Sequence, residues 1–156
     1  MKFLCDDNLG KLARYLRMLG YDTAYDSSIS DAELIALMLK EDRIVITRDQ
    51  KLCRRIEPPR VVAIDNDIPE EQLQAVMSRL GLNPQADRFL SRCLVCNFEC
   101  VDVTKDDIKD EVFPYVLRTQ EKFKRCPKCR RIYWQGSHYR NMVCILEHFS
   151  AKESND

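Results

Sequence analysis

The apolar positions of this chain switch repeatedly between a short continuous run and a helical period. Phe3-Leu4-Cys5 is such a run, and it ends at Asp6-Asp7. Leu9, Leu12, Ala13, Leu16 and Leu19 then recur at helical spacing, with Lys11, Arg14 and Arg17 on the other faces and Gly20 as the stop. Residues 22–25 read as a second strand. Ser30 followed three residues later by Glu33 is a capping-box spacing, and it opens a helix through Leu34, Ile35, Leu37 and Met38. Ile44-Val45-Ile46-Thr47 is the β-branched run expected of a strand buried on both faces of a parallel sheet, and it ends at Arg48-Asp49. A short helix from Gln50 to Ile56 stops before Pro58-Pro59; Val61–Ile64 makes a further strand that closes on Asp65. Glu70–Leu80 is a last amphipathic helix, ended by Gly81. Strand and helix thus alternate four times, the pattern of an open parallel α/β sheet with right-handed crossovers.

Beyond about Asn83–Arg88 the periodicity dissolves, and cysteines take over as the organising residues. Cys93-Leu-Val-Cys96 and Cys126-Pro-Lys-Cys129 are separated by residues 97 through 125. Two such pairs supply four sulfurs for a tetrahedral site, which predicts a structural zinc and a small zinc ribbon. Cys100 is the nearest competitor for a ligand position, because Cys96 to Cys100 is also within ligand spacing. Cys5 and Cys144 lie in apolar stretches and are expected to be buried free thiols. A closing helix is expected over Tyr139–Phe149. The expected organisation is therefore an α/β unit over 1–88, a ribbon with its helix over 89–149, and a disordered polar tail over 150–156.

Composition narrows the class. The chain of 156 residues is 45% apolar and 32% charged with zero formal net charge, as a water-soluble globular protein would be. No apolar stretch reaches the about 18 residues of a membrane span. The N-terminus meets Asp6 and Asp7 too early for a signal peptide, so the expected compartment is the cytoplasm. Zero net charge hides a local cluster: Lys122, Lys124, Arg125, Lys128, Arg130 and Arg131 form a stretch without acid, able to attract a polyanion. Tyr133-Trp134 beside it, followed by His138, sets aromatic faces near cations, a combination that holds single-stranded RNA. The competing reading gives Trp134 to the ribbon's small core and the cluster to a solvated hairpin.

Candidate chemistry lies upstream. Asp6, Asp49 and Asp65 each end a strand, at the edge where open α/β sheets bind ligands, and Asp31 stands in the first turn of the second helix. Carboxylates gathered there would hold a hard divalent cation, Mg²⁺ or Mn²⁺, and such a site hydrolyses phosphodiesters. Helix capping explains any one of these aspartates but gives no reason for them to share an edge. The four glycines form no phosphate-binding loop, and two late histidines make a His-based triad a poor fit.

Phe3–Asp22, Ser30-Asp-Ala-Glu-Leu34 and Ile46-Thr-Arg-Asp49 resemble the Mut-seven C-terminal RNase domain family. So, in order, do Ser91–Asn97, Pro114-Tyr-Val, Cys126–Cys129 and Tyr133–His138, and the resemblance covers about residues 2–142. It implies a PIN-like nuclease domain, an open parallel sheet flanked by helices, followed by a zinc ribbon that assists RNA binding. It also implies a divalent-metal ribonuclease site at Asp6, Asp31 and Asp49. PIN nucleases often carry a further acid, for which Asp7, Asp65 and Asp67 are the substitutes on offer. An RNA-binding adaptor with a weak site and a PIN-type toxin are the competing functional classes. Whether two copies pair as a homodimer to build a groove is left open by the sequence.

Overall fold

The computed structural model describes the backbone of residues 1–153 and the side chains of residues 1–149. Its first half is a four-stranded, wholly parallel sheet of β1 (Lys2–Cys5), β2 (Asp22–Tyr25), β3 (Ile44–Thr47) and β4 (Val61–Ala63), in the order β2-β1-β3-β4. The helices between and after the strands are α1 (Gly10–Met18), α2 (Asp31–Glu41), α3 (Gln50–Arg55) and α4 (Pro69–Leu80). Because side chains alternate across a strand, each apolar run feeds two cores. Phe3, Cys5 and Ile46 join Leu12 and Leu16 of α1 and Leu73 and Val76 of α4. Leu4 and Val45 face the other way, onto Leu34 and Met38 of α2 and Leu52 of α3. The sheet is thus covered on both sides.

Local chemistry sets the helix ends. The capping box forms as the sequence predicts: Ser30 accepts from the Glu33 amide, and the Glu33 carboxylate accepts from the Ser30 amide at 2.9 Å. At the end of α1, Gly20 has φ +90°, and a Cβ there would lie 2.6 Å from the Arg88 carbonyl oxygen. Only glycine relieves both the dihedral and the approach.

The second half carries a three-stranded antiparallel sheet of β5 (Val101–Val103), β6 (Phe123–Arg125) and β7 (Ile132–Trp134), in that order. Short helices α5 (Lys105–Ile108) and α6 (Pro114–Thr119) lie between β5 and β6, and α7 (Ser137–Glu153) closes the chain. That helix begins earlier and runs further than Tyr139–Phe149; of the expected tail, residues 154–156 lie outside the described residues.

The two halves share buried packing. Phe89, Leu90, Leu94, Met142 and Phe149 belong to the same buried cluster as Phe3, Leu12 and Leu16. A polar clasp accompanies them. Arg17 is buried rather than on a solvent face: its Nε donates to the Thr23 carbonyl at 2.8 Å and its Nη1 to the Leu94 carbonyl at 2.9 Å. Asn97 completes the edge strand β2, accepting from the Thr23 amide at 3.0 Å and donating to Asp22 at 2.7 Å. Asp22 also pairs with the buried Arg43 at 2.7 Å. Burial works against the Asp22 carboxylate, but donation from Arg43 and Asn97 outweighs it and holds the group below the usual carboxylate range. Cys144 departs from expectation: it is exposed, because α7 turns that face outward, whereas Cys5 is fully buried.

Candidate active site and cysteine centre

The sheet order places a reversal between β1 and β3. From β1 the chain leaves through α1 on one face, and from β3 through α3 on the other. Diverging connections open a crevice at the carboxyl ends of those two strands. Asp6 and Asp49 stand there.

Thr47 joins them. Its hydroxyl donates to Asp6 Oδ2 at 2.5 Å and accepts from the Asp49 amide at 2.9 Å. Asp6 is buried, and its Oδ1 accepts from the Asp7 amide at 2.9 Å. Asp49 is the N-cap of α3, its Oδ1 accepting from the Lys51 amide at 2.7 Å. Capping engages one oxygen and leaves Oδ2 without a hydrogen bond among the described residues. Asp65, at the end of β4, accepts from Gln50 at 3.2 Å, which sets a third carboxylate beside the start of α3. The Cys53 thiol senses the convergence: burial raises its pKa, and the Asp49, Asp65 and Asp6 charges raise it further.

Asp31 is placed differently. It lies in the first turn of α2 and accepts from Arg55 at 2.6 Å, with both side chains half exposed. Of the other acids, Asp67 is tied to Arg48, and Asp7 and Asp65 are both exposed, Asp65 lying against Gln50 at the start of α3. Thr47 is the site residue that sequence reasoning missed. Within an apolar β run its hydroxyl reads as strand propensity, and only its position directly after three β-branched residues and two before Asp49 marks it.

The cysteines form the tighter constellation. One sulfur from each of Cys93, Cys96, Cys126 and Cys129 lies within 4.8 Å of the others, and this group could hold a metal ion such as zinc. Among the described residues the aspartates do not draw together into a comparable set of three. The two cysteine loops are built alike. The Cys96 amide points at Cys93 Sγ at 3.3 Å and the Cys129 amide at Cys126 Sγ at 3.4 Å. Each loop then turns through a left-handed residue, Asn97 at φ 63° and Arg130 at φ 67°. Cys100 lies outside this group of four; burial, followed by the Cys93, Cys126 and Cys129 charges, pushes its thiol up to about 12. Burial opposes the Cys129 thiolate, but donors from Arg131 outweigh it and bring the group down to about 6. The Tyr133 hydroxyl accepts from the Leu94 amide at 3.2 Å and lies 3.1 Å from Cys93 Sγ, so its proton is available to that sulfur.

The basic cluster separates on inspection. Arg125 is not a surface cation: it is buried and paired with Glu111, because it faces inward on β6. Lys124 is paired with Asp102 at 2.7 Å. Lys128 lies 4.9 Å over the Phe98 ring, and Lys122, Arg130 and Arg131 are exposed. Trp134 is half-buried: it packs at 6.3 Å on Phe123, and a Cβ at Gly136 would meet its indole at 2.8 Å. His138 is exposed on the first turn of α7.

No helix among the described residues is long and apolar enough to cross a membrane. No curated protein and no solved structure matches the chain significantly. The family model described as the Mut7-C RNAse domain matches residues 1–146. With the acidic crevice and the four-cysteine centre both inside that span, the chain belongs to the Mut7-C RNAse domain family.

Proposed function

We propose that this chain is a Mg²⁺- or Mn²⁺-dependent, PIN-like ribonuclease that cuts within RNA strands by in-line attack of water on a phosphodiester. The observation that carries the reading is the Thr47 bridge, which links Asp6 and Asp49 at the reversal of the sheet in a family of RNase domains. The donor set is chemically apt: carboxylate oxygens suit hard divalent ions, and Asp49 and Asp65 each keep an oxygen without a hydrogen bond among the described residues. When bound, the ion would polarise the phosphodiester and lower the pKa of an attacking water. The protein's part is orientation. Thr47, itself held by the Asp49 amide, fixes the Asp6 carboxylate, while the amides at the start of α3 orient the Asp49 carboxylate. Asp31 would complete the set that the family resemblance implies by giving up its solvent-screened pair with Arg55; such pairs are worth about 1 kcal/mol or less. We assign the four cysteines to a structural zinc, closed by sulfur and without an open catalytic position.

Cleavage of a labelled RNA in Mn²⁺ by wild type, Asp6→Asn and Asp49→Asn tests the proposal. Loss of cleavage in both variants supports it. Undiminished cleavage in both excludes the carboxylate mechanism, and RNA binding without cleavage by the wild type favours the adaptor reading.

A further inference from the structure

A groove of about 930 Å³ runs between α1 and α7. One end lies at the N-termini of α1 and α4, marked by Lys11 and Glu70; the other reaches Leu94 at the first cysteine loop. The first end shares the sheet edge with Asp6, since the Leu9 amide donates to the Asp6 carbonyl at 3.0 Å and α1 starts one residue later. The floor is apolar, formed by Met18, Leu94, Met142 and Ile145, with the half-buried Tyr15 ring above it. Lys11, Arg14 and His138 make the rim. Glu70 is the one carboxylate of the lining, and it is already engaged: it accepts from the Tyr15 hydroxyl at 2.5 Å and faces Lys11 at 3.5 Å. Arg14 has no acidic partner among the described residues.

The ribbon offers a second cleft, beside Trp134, but carboxylates outnumber cations in its lining. Lys122 and Lys124 share its lining with Asp87, Asp102 and Glu121, and Lys124 is already paired with Asp102. For a polyanion with apolar bases, the groove between α1 and α7 is the better complement. Phosphates suit its rim and unstacked bases its floor. A duplex keeps its bases inside and has no use for an apolar floor.

We propose that single-stranded RNA binds in the groove between α1 and α7, with phosphates on Lys11 and Arg14 and bases against Met18, Leu94 and Ile145. The groove, rather than the ribbon's basic stretch, is the main RNA contact. The direction of the strand, toward Asp6, rests on the ribonuclease reading; the binding itself does not.

Fluorescence anisotropy with a single-stranded oligouridylate and a duplex of equal length, in buffer without added divalent ion, tests the groove. Lys11→Ala with Arg14→Ala is expected to weaken single-strand binding about tenfold or more, and to reduce the slope of log affinity against log salt by about 1.4 for two lost phosphate contacts. Lys128→Ala with Arg130→Ala should change it less than about threefold, and the wild type should prefer the single strand. Because Lys11 touches Glu70, a second readout uses the unaltered protein: RNA containing 4-thiouridine should crosslink to peptides within 11–18 and 137–145. Crosslinks confined to 121–134, a larger loss in the ribbon pair, or no RNA binding at all would overturn the proposal. The two readings fail separately. Manganese-dependent cleavage that survives the Lys11/Arg14 change with binding intact sinks the groove alone. Binding that needs Lys11 and Arg14 but leads to no cleavage sinks the ribonuclease alone.

Discussion

Thr47 carries most of the burden at the residue scale. It ties the Asp6 carboxylate to the Asp49 backbone without being an acid itself, so its removal should damage catalysis as well as folding. Thr47→Val is expected to lower RNA cleavage about 10- to 100-fold, the range for partners that orient a metal ligand, beside a stability loss of about 1–3 kcal/mol from leaving the buried Asp6 Oδ2 and the Asp49 amide unpaired. Thr47→Ser, which keeps the hydroxyl, should restore most of the rate. An equal loss in both variants would show that the hydroxyl does not act by orienting Asp6. Sequence reading set Asp6 and Asp49 just past β1 and β3, where the structure has them, because strand ends are visible in a hydrophobic pattern. It could not see Thr47, whose role depends on two neighbours brought together by the parallel pairing of β1 and β3. The same blindness put Arg17 and Arg125 on the surface. A cation reads as exposed until the fold supplies carbonyls for one and a carboxylate for the other.

Among the elements, the α/β half was the legible part. β1, β2 and β3 fall where their apolar runs predict, and the Ser30 capping box is visible in the spacing alone. Ser30→Ala should cost about 1 kcal/mol in chemical denaturation. The ribbon's strands β5, β6 and β7 are three residues each, too short to show a period, and the cysteine loops rather than local propensity fix their register. Edge strand β2 is where the two halves depend on each other. Asp22 has a depressed pKa in the folded state, so its contribution is full above the ordinary carboxylate range and is lost as pH falls through the folded value. Stability measured by denaturant titration should therefore drop as pH falls below about 4, and Asp22→Asn should flatten that drop. A drop of the same size in the variant would assign acid sensitivity elsewhere.

Over the whole molecule, the cysteine centre serves the α/β half as well as the ribbon. Arg17 and Asn97 fasten the first cysteine loop to α1 and β2, so loss of a bound ion would free that loop from the sheet edge. Chelation is expected to lower the melting temperature of the entire chain in one transition and to speed amide exchange at Thr23 and Ala24. Arg17→Ala, which strands buried carbonyls, should cost about 3 kcal/mol. Two separate transitions, with residues 1–88 unmoved by chelation, would mean that the halves fold on their own. The metal content itself is checked by elemental analysis, with one zinc per chain expected and less than a tenth of that after Cys93→Ser with Cys126→Ser.

All of this leaves the proposed chemistry resting on whether the carboxylates at the sheet reversal bind one divalent ion. The most direct measurement is a crystal structure of the protein soaked in Mn²⁺, with anomalous data collected at the manganese edge. The account predicts a peak in coordination contact with Asp6 and Asp49, with Asp65 or Asp31 turned toward it. Manganese found only at other sites, in crystals of a protein that still cuts RNA, would contradict it.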